Sequence, residues 1–371
     1  MTAHKRRHTT QPFALCKLSY GDHKWISIAD IGSAGKYIAT TKERITDKAI
    51  TESGIRAVPA HTVIMSFKLS IGKTAITSEE MYTNEAIMAF VSKGTYDIDA
   101  DYLYHLCCGT EWTEGTNKAV MGLTLNKATL SEKRISLPEI TEQRNIAAKF
   151  DALDNVIEKT QSELSSLDQL VKSRFVEMFI GKNYSRKTVD EVSLGKGEYG
   201  AQSASAEYTP DRPRYVRITD INDDGTLNND VVSSINHSDD DQYRLRYGDF
   251  LFARMGATVG KTYAFKEGNQ IYAGYLIRYK LDLTQIHPLY LFWYTRLNEY
   301  WDWVKLNQSG AAQPGINAKK FGSLRIPVPP IDIQNRFVAF VAEVDKSKLA
   351  VKQSLEKLET LKKSLMQQYF G

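Results

Sequence analysis

Residues 134–181 read RISLPEITEQRNIAAKFDALDNVIEKTQSELSSLDQLVKSRFVEMFIG, and a relative of this stretch ends the chain, where residues 325–371 read RIPVPPIDIQNRFVAFVAEVDKSKLAVKQSLEKLETLKKSLMQQYFG. The two stretches share residues at a constant shift of 191 positions, the difference between 325 and 134. Pro138 meets Pro329 and Gln143 meets Gln334 at this shift. A self-match of this length indicates an internal repeat, which decides how the rest of the chain is interpreted.

Each copy predicts a long helix that starts just after a proline, because proline disfavours helix in the residue before it. The helix from Glu139 to Phe179 would be about 60 Å long at about 1.5 Å per residue. Both copies keep one heptad register of mainly apolar positions. These positions are Ile146, Phe150, Leu153, Ile157, Thr160, Leu164, Leu167 and Val171, and then Phe337, Val341, Val344, Lys348, Val351, Leu355, Leu358, Lys362 and Leu365.

An apolar stripe this narrow on so long a helix needs a partner helix to bury it. The other copy is the simplest partner and predicts an intramolecular coiled coil. Two alternatives stay open at this point. The helices could pack separately, each on its own domain, or they could pair between two copies of the chain.

Length and composition indicate a folded protein of two or three domains. The chain has 371 residues, of which 42% are hydrophobic and 11% aromatic. No apolar run approaches the length of a membrane span, and the basic N-terminal residues lack the apolar core of a signal peptide. Three cysteines without metal spacing favour a reducing compartment, so we expect a cytoplasmic protein without membrane contact. The net charge of +4 is compatible with nucleic-acid binding.

The globular segments carry fainter marks of the same repeat. Trp25–Ile31 matches Tyr215–Ile221 at a shift of 190, and its alternation predicts a strand. Ile71–Thr74 matches Val259–Thr262 at a shift of 188, with a glycine at the bend of a strand-like stretch. Pro288–Tyr294 predicts the start of a helix. The duplication therefore covers the whole chain, although the helices are its better-preserved half.

Irregularly mixed strand and helix signals in both segments predict the α+β fold class. We predict a globular domain over 1–133, a helical spacer over 134–181, a second globular domain over 182–324 and a second spacer over 325–371.

The duplicated Gly-Lys-Thr segments are the first chemical motif to test. A phosphate-binding loop needs a glycine five positions before the Gly-Lys pair, where this chain has Phe67 and Met255. A bend between strands with an exposed lysine explains both segments, and such a lysine on a domain rim could face a DNA phosphate. No metal-ligand spacing and no methyltransferase motif occurs, so the sequence predicts no active site.

At this point the chain resembles the specificity (S) subunits of Type I restriction-modification enzymes. The similarity is carried by the two-copy layout and by the Pro-x-x-x-x-Gln helix start, which occurs twice. It is carried further by Gly310–Lys320, Ile326–Pro330, Gly248–Arg254 and Val259–Thr262, and it spans essentially the full chain.

The resemblance implies two target recognition domains, each of which reads one half of a split double-stranded DNA sequence. They would be held apart by the two long helices, paired as an antiparallel coiled coil with pseudo-twofold symmetry. Two modification (methyltransferase) subunits would bring S-adenosylmethionine, and restriction (translocase and nuclease) subunits would bring ATP and Mg. The chain itself would bind no cofactor and carry no catalysis. The specificity subunit of a Type IIB-like system is the alternative.

Candidate DNA-binding residues follow from this role. Lysine and arginine side chains would position the domains on phosphates, and polar side chains would contact base edges. The candidates for positioning are Lys73, Arg254, Lys261, Lys319 and Lys320, and those for base or backbone contact are Tyr199, Gln202, Ser203 and Arg217.

Overall fold

The computed structural model describes residues 2–3, 21–68, 70–112, 118–119, 122–123, 125, 130, 133–235, 241–309 and 314–371. The chain divides into two compact units. Unit 1 comprises Met1–Glu163 and Val351–Gly371, and unit 2 comprises Leu164–Ala350. Each long helix therefore contributes residues to both units.

Unit 1 combines short strands and helices with the first part of a long helix. Its strands are β1 (Thr2–Ala3), β2 (His23–Ile26), β3 (Tyr37–Ile38), β4 (Glu43–Ile45), β5 (Val63–Ser66), β6 (Thr74–Thr77), β7 (Tyr82–Thr83), β8 (Ile87–Val91), β9 (Lys118–Ala119) and β10 (Gly122–Leu123). Its helices are α1 (Ile28–Ser33), α2 (Asp47–Ser53), α3 (Ala100–Gly109) and α4 (Ile140–Phe179), of which α4 continues into unit 2.

A five-stranded sheet in the order β1-β8-β5-β6-β3 forms the centre of unit 1. Strand β5 is antiparallel to both β6 and β8, and a smaller sheet has the order β4-β2-β7. Tyr102 and Leu106 of α3 pack with Met65 and Ile76 of the large sheet, and Phe150 of α4 joins the same apolar cluster. One core cluster of unit 1 thus lies between the sheet and the long helix, and separate clusters around Ile26 and around Trp25 contain no residue of that helix.

Unit 2 has a related set of elements. Its strands are β11 (Arg186–Thr188), β12 (Glu198–Tyr199), β13 (Ser205–Glu207), β14 (Arg214–Val216), β15 (Ser233–Ile235), β16 (Asp249–Ala253), β17 (Thr262–Ala264), β18 (Gln270–Tyr272), β19 (Leu276–Lys280) and β20 (Arg325–Pro327). Its helices are α5 (Pro288–Tyr294), α6 (Asn298–Asn307), α7 (Ala318–Gly322) and α8 (Ile331–Phe370), of which α8 continues into unit 1.

A four-stranded sheet in the order β12-β19-β16-β17 forms the centre of unit 2. The hairpin β16–β17 with β19 repeats the arrangement of β5, β6 and β8. The parallel pair β14–β18 likewise repeats the parallel pair β2–β7. The helix predicted from Pro288 and the α+β fold class are both confirmed.

The strand predicted over Trp25–Ile31 is wrong in its second half, where the chain turns into α1. Ser27 caps this helix: the Asp30 N–H donates to the Ser27 hydroxyl (3.4 Å), and the Asp30 carboxylate accepts from the Ser27 N–H (2.8 Å). This reciprocal capping overrides the alternating pattern. The second copy turns at the same place, where the Asp220 carboxylate accepts from the Arg217 N–H (2.9 Å).

One buried glutamine fixes the start of α4 to unit 1. The Gln143 amide accepts from the N–H of Asp99 (2.9 Å) and donates to the carbonyls of Asp97 (3.0 Å) and Pro138 (2.8 Å). Asp99 is also the N-cap of α3. The Pro-x-x-x-x-Gln motif therefore ties the long helix to the neighbouring helix through backbone groups.

Gln334 makes the same three bonds in unit 2. Its amide accepts from the N–H of His287 (2.8 Å) and donates to the carbonyls of Gln285 (2.9 Å) and Pro329 (2.8 Å). His287 is the N-cap of α5, so the link again joins a long helix to a short one. The repeat is thus preserved down to individual hydrogen bonds.

The long helices pair within unit 1. Phe150 of α4 stacks on Phe370 of α8 with ring centroids 5.5 Å apart. Further along α4, Asp154 forms an ion pair with Lys362, which precedes Phe370 in the sequence. The two helix segments are therefore antiparallel.

The same direction of pairing occurs within unit 2. Asp168 of α4 forms an ion pair with Lys348, and Phe175 packs edge-on against Phe337 at a centroid distance of 5.2 Å. An antiparallel coiled coil within the chain is confirmed. The predicted heptad positions are all buried or half-buried, as on a two-helix seam. The buried ones are Ile146, Phe150, Val171, Phe337, Val341 and Val344.

Replacing Gln334 with alanine should lower the free energy of unfolding of unit 2 by about 2–4 kcal/mol. The substitution leaves one N–H and two carbonyls without their partner in a place where the side chain is 0% exposed. Urea unfolding of the full chain measures the change. Gln353 lies exposed on the same helix, and Gln353→Ala should change the stability by less than about 0.5 kcal/mol. Equal losses in both variants would refute the role of Gln334.

His287 should make unit 2 sensitive to acid. Its Nδ1 accepts from the Leu289 N–H (3.0 Å), and burial lowers the pKa of His287. A folded pKa below the unfolded value of about 6.5 means that this stabilisation is complete above that value and is lost as the pH falls through the folded pKa. His287→Asn keeps a neutral cap, so its stability should fall less between pH 8 and pH 5 in thermal unfolding. An unchanged pH dependence would contradict this assignment.

Candidate nucleic-acid interface

The two Gly-Lys-Thr segments are bends between antiparallel strands. One joins β5 to β6 and the other joins β16 to β17. Gly72 and Gly260 have φ angles of +87° and +94°, a conformation that favours glycine. The strand that follows each bend leaves no helix N-terminus for a bound phosphate, which a nucleotide-binding loop requires. The structure thus supports the bend and not the nucleotide site.

Lys261 and Arg217 lie at one turn of unit 2, where acidic residues hold both side chains. The Lys261 amine pairs with Asp223 (2.8 Å) and donates to the Ile221 carbonyl (3.2 Å). The Arg217 guanidinium pairs with the buried Asp220 (2.8 Å). These charges are therefore partly compensated within the turn itself.

Lys73 has a related position in unit 1 but no such carboxylate partner among the described residues. Its amine lies beside Gly32 in the last turn of α1, at 2.8 Å from the place that a Cβ of Gly32 would take. The side chain is exposed. Its charge is thus available to a ligand to a greater extent than that of Lys261.

Arg254 and Tyr199 contact each other at the edge of the large sheet of unit 2. The guanidinium carbon of Arg254 lies 4.9 Å from the centre of the Tyr199 ring, within range of a cation–π interaction. The Arg254 backbone N–H donates to the carbonyl of Tyr275 (3.1 Å). Within the described residues, the Arg254 side chain has no hydrogen bond or ion pair, and its Nε is buried.

The short helix α7 joins the same group. The Ala318 N–H at its start donates to the Tyr199 hydroxyl (3.3 Å), and the Ile316 N–H donates to the Arg254 carbonyl (2.9 Å). Lys319 and Lys320 follow directly in α7. We use the name Tyr199 cluster for Tyr199, Arg254 and Tyr275 together with Lys319 and Lys320, which follow Ala318 in the sequence.

Gln202 lies next to this cluster, whereas the role of Ser203 differs. The exposed Gln202 side chain lies beside Gly274, the residue before Tyr275. The Ser203 carbonyl accepts from the Tyr215 hydroxyl (3.0 Å), which fixes the backbone of this loop. Tyr275, which is 55% exposed on the turn between β18 and β19, was not among the residues predicted from the sequence. An aromatic residue after a glycine in a turn was the only signal for it.

The acidic residue Glu198, which lies beside the cluster, forms ion pairs with other cations. Glu198 precedes Tyr199 and pairs with both Arg278 and Lys280. Partial burial raises the pKa of Glu198, but the hydrogen bonds from Arg278 and Lys280 outweigh this effect and hold the pKa below its usual value. The positive charges of the Tyr199 cluster are therefore not cancelled by this carboxylate.

Residues 310–313 of the Gly310–Lys320 motif lie outside the described residues. So do residues 115–117 and 120–121 of the glycine-bracketed stretch 115–123, which parallels this motif in the first copy, and residues 4–8 of the basic N-terminal stretch. Over the part of the chain that the structure describes, no group of three or more His, Cys, Asp or Glu side chains is placed to hold a metal ion. No helix there is long and apolar enough to cross a membrane.

Relatives of known type match large parts of the chain. The specificity subunit of the Type I restriction enzyme MjaIX from Methanocaldococcus jannaschii is 28% identical over 164 residues, which are 43% of this chain and 38% of that protein. The EcoBI specificity subunit from Escherichia coli is 22% identical over 284 residues, which are 66% of this chain and 59% of that protein. These matches thus span less than two thirds of either relative.

Two solved structures share the fold over nearly the whole chain. One comes from work on complex assembly and conformational transition of the type I restriction-modification system, with a TM-score of 0.62, 18% identity and coverage of 93% of this chain and 90% of that one. The other is the S subunit of a Type I system from M. genitalium, with a TM-score of 0.53, 13% identity and coverage of 100% and 93%.

The family model described as the Type I restriction modification DNA specificity domain matches twice, over residues 3–168 and 196–361. The two matched ranges follow the internal repeat and together span most of the sequence. The chain therefore belongs to the family of Type I restriction-modification DNA specificity domains.

Proposed function

We propose that this chain is the non-catalytic specificity subunit of a Type I restriction-modification complex and gives that complex a two-part DNA target. Each globular domain reads one half of the target, and the paired helices set the distance between the halves. The complex works in the cytoplasm on double-stranded DNA. The observation that carries the proposal is that both globular domains share the same internal contacts, whereas their surface residues differ.

The shared frame consists of structural contacts. Both domains have a capped turn, which follows β2 in unit 1 and β14 in unit 2. Both also have a Gly-Lys-Thr bend and a buried glutamine at the start of the long helix. The surfaces differ: Arg254, which has no ion pair among the described residues, corresponds at a shift of 188 to Ser66, which is fully buried. Two recognition domains with different surfaces would recognise two different half-sites.

The available cations support phosphate contacts that position the domains. Lys73 in unit 1 and Arg254, Lys319 and Lys320 in unit 2 are the principal candidates. Lys261 and Arg217 remain candidates, but contact with DNA would compete with their own acidic partners.

Base contacts need exposed polar or aromatic groups near those cations. Gln202, Ser203 and Tyr199 are the candidates from the sequence, and Tyr275 is added by its exposure beside them.

The long helices offer apolar side chains outside the seam, which support a scaffold role. Val156 and Leu361 in unit 1 are 46% and 49% exposed, and Leu170 and Leu349 in unit 2 are 47% and 59% exposed. We propose that two modification subunits, which carry S-adenosylmethionine, dock along these helices. Restriction subunits that use ATP and Mg would join the same complex, and this chain would bind neither cofactor itself.

A complex of this chain with its modification subunits should methylate adenine at one two-part DNA sequence. Sequencing of plasmid DNA methylated by the purified complex identifies the modified sites. Modification subunits without this chain are the control and should give no defined motif. Methylation that occurs at no defined sequence, or at the same motif without this chain, would refute the proposal.

Lengthening both helices should lengthen the spacer between the half-sites. Three heptads inserted into α4 between Asp154 and Asp168, and three into α8 between Lys348 and Lys362, add about 32 Å and keep the seam in register. This is close to one DNA turn of about 34–36 Å, so each domain would meet the same face of the duplex.

The methylated motif should then keep both half-sites and gain about 9–10 base pairs of spacer. The matched control inserts the same residues into α4 alone, which breaks the pairing and should abolish methylation. An unchanged spacer in the doubly extended protein would show that the helices do not measure the distance.

A further inference from the structure

Arg254 differs from several other arginines of unit 2. Three of those arginines each have a carboxylate partner: the pairs are Arg186–Glu299, Arg217–Asp220 and Arg278–Glu198. Arg254 is half-buried, and within the described residues it has neither an ion pair nor a side-chain hydrogen bond. A partly desolvated charge without a partner is unfavourable unless a ligand supplies the partner.

Tyr199 connects this arginine to α7. Its backbone is fixed in the sheet, where Tyr199 pairs with Ile277 of β19. Its ring lies under the Arg254 guanidinium, and its hydroxyl accepts from the Ala318 N–H, directly before Lys319. One side chain thus touches both Arg254 and the helix that carries the two lysines.

We propose that Tyr199 is a positioning residue, which holds Arg254 beside Lys319 and Lys320 so that the three cations contact one stretch of the DNA backbone. This inference rests on the proposed DNA-binding function and changes the role of Tyr199 within it. As a direct DNA contact Tyr199 would need its ring and hydroxyl free, whereas one face of the ring lies against Arg254 and the hydroxyl accepts from the Ala318 N–H.

The physical benefit of such a residue is preorganisation. A free arginine side chain has many rotamers and loses this freedom when it binds a phosphate. An arginine already held on an aromatic ring loses less, so it binds more tightly. Unit 1 has the buried Ser66 at the matching position, so this arrangement belongs to the second domain.

The test measures binding of the complete complex to a duplex that carries its methylated sequence, across a range of salt concentrations. Arg254→Ala should lower the salt slope of log K by about one, because one phosphate contact is lost. Tyr199→Leu should weaken binding about three- to ten-fold, the range expected for a lost cation–π contact. Tyr199→Phe keeps the ring and its cation–π contact but removes the hydroxyl that accepts from the Ala318 N–H, so it should weaken binding less than Tyr199→Leu does.

Two further readouts separate positioning from direct contact. If Tyr199 acts through Arg254, Tyr199→Leu should have little further effect in the Arg254→Ala background, whereas independent contacts would give additive losses. The methylated motif should stay the same in all variants, because phosphate contacts carry no sequence information. Tyr208→Leu is the matched control, since Tyr208 is 41% exposed and Tyr199 is 42% exposed.

Additive losses, a changed motif in Tyr199→Leu, or equal weakening in Tyr208→Leu would each overturn the inference. Thermal unfolding of each variant identifies any loss of binding that comes from misfolding. If Tyr199→Leu misfolds, the same comparison is made with Tyr199→Phe, alone and in the Arg254→Ala background. Failure of the proposed function is distinct, since the wild-type complex itself would then methylate no defined sequence.

Discussion

The structure depends on a buried amide at the start of each long helix. Gln143 and Gln334 each satisfy one backbone N–H and two backbone carbonyls that would otherwise be buried without partners. Burial of unpaired backbone groups is costly, so each glutamine fixes where its helix leaves the globular fold. Because the N–H belongs to the N-cap of a neighbouring helix, the direction of the long helix is tied to the core of the domain.

The seam between the long helices complements this constraint. Aromatic rings bury the ends of the pair, and the ion pairs Asp154–Lys362 and Asp168–Lys348 occupy its less buried middle. A charged residue at a seam position costs stability but favours one register, because a shifted helix would leave it unpaired. A fixed register between α4 and α8 suits the proposed spacer role, since a slip by one heptad would change the length of the paired helices.

The frame leaves the outer surfaces of the domains free to differ. The repeated contacts are nearly all internal: capped turns, glycine bends with a tryptophan packed against them, and the glutamine amides. The cations that have no carboxylate partner among the described residues, and the exposed aromatic rings, lie outside this set. A duplicated scaffold can therefore carry two surfaces without loss of its core, as the proposed two-part target requires.

The sequence by itself determined the repeat, the extent of the long helices, their seam and the α+β class, because periodicity and proline positions are local signals that survive in one chain. It misjudged Ile28–Ile31, where a single cap outweighs an alternating pattern. It also named the candidate cations without ranking them. Only the tertiary structure decided that Asp223 and Asp220 hold Lys261 and Arg217, while Arg254 rests on Tyr199. The physical reason is that the availability of a charge depends on which groups surround it in space, and in the case of Arg254 those groups come from distant parts of the chain.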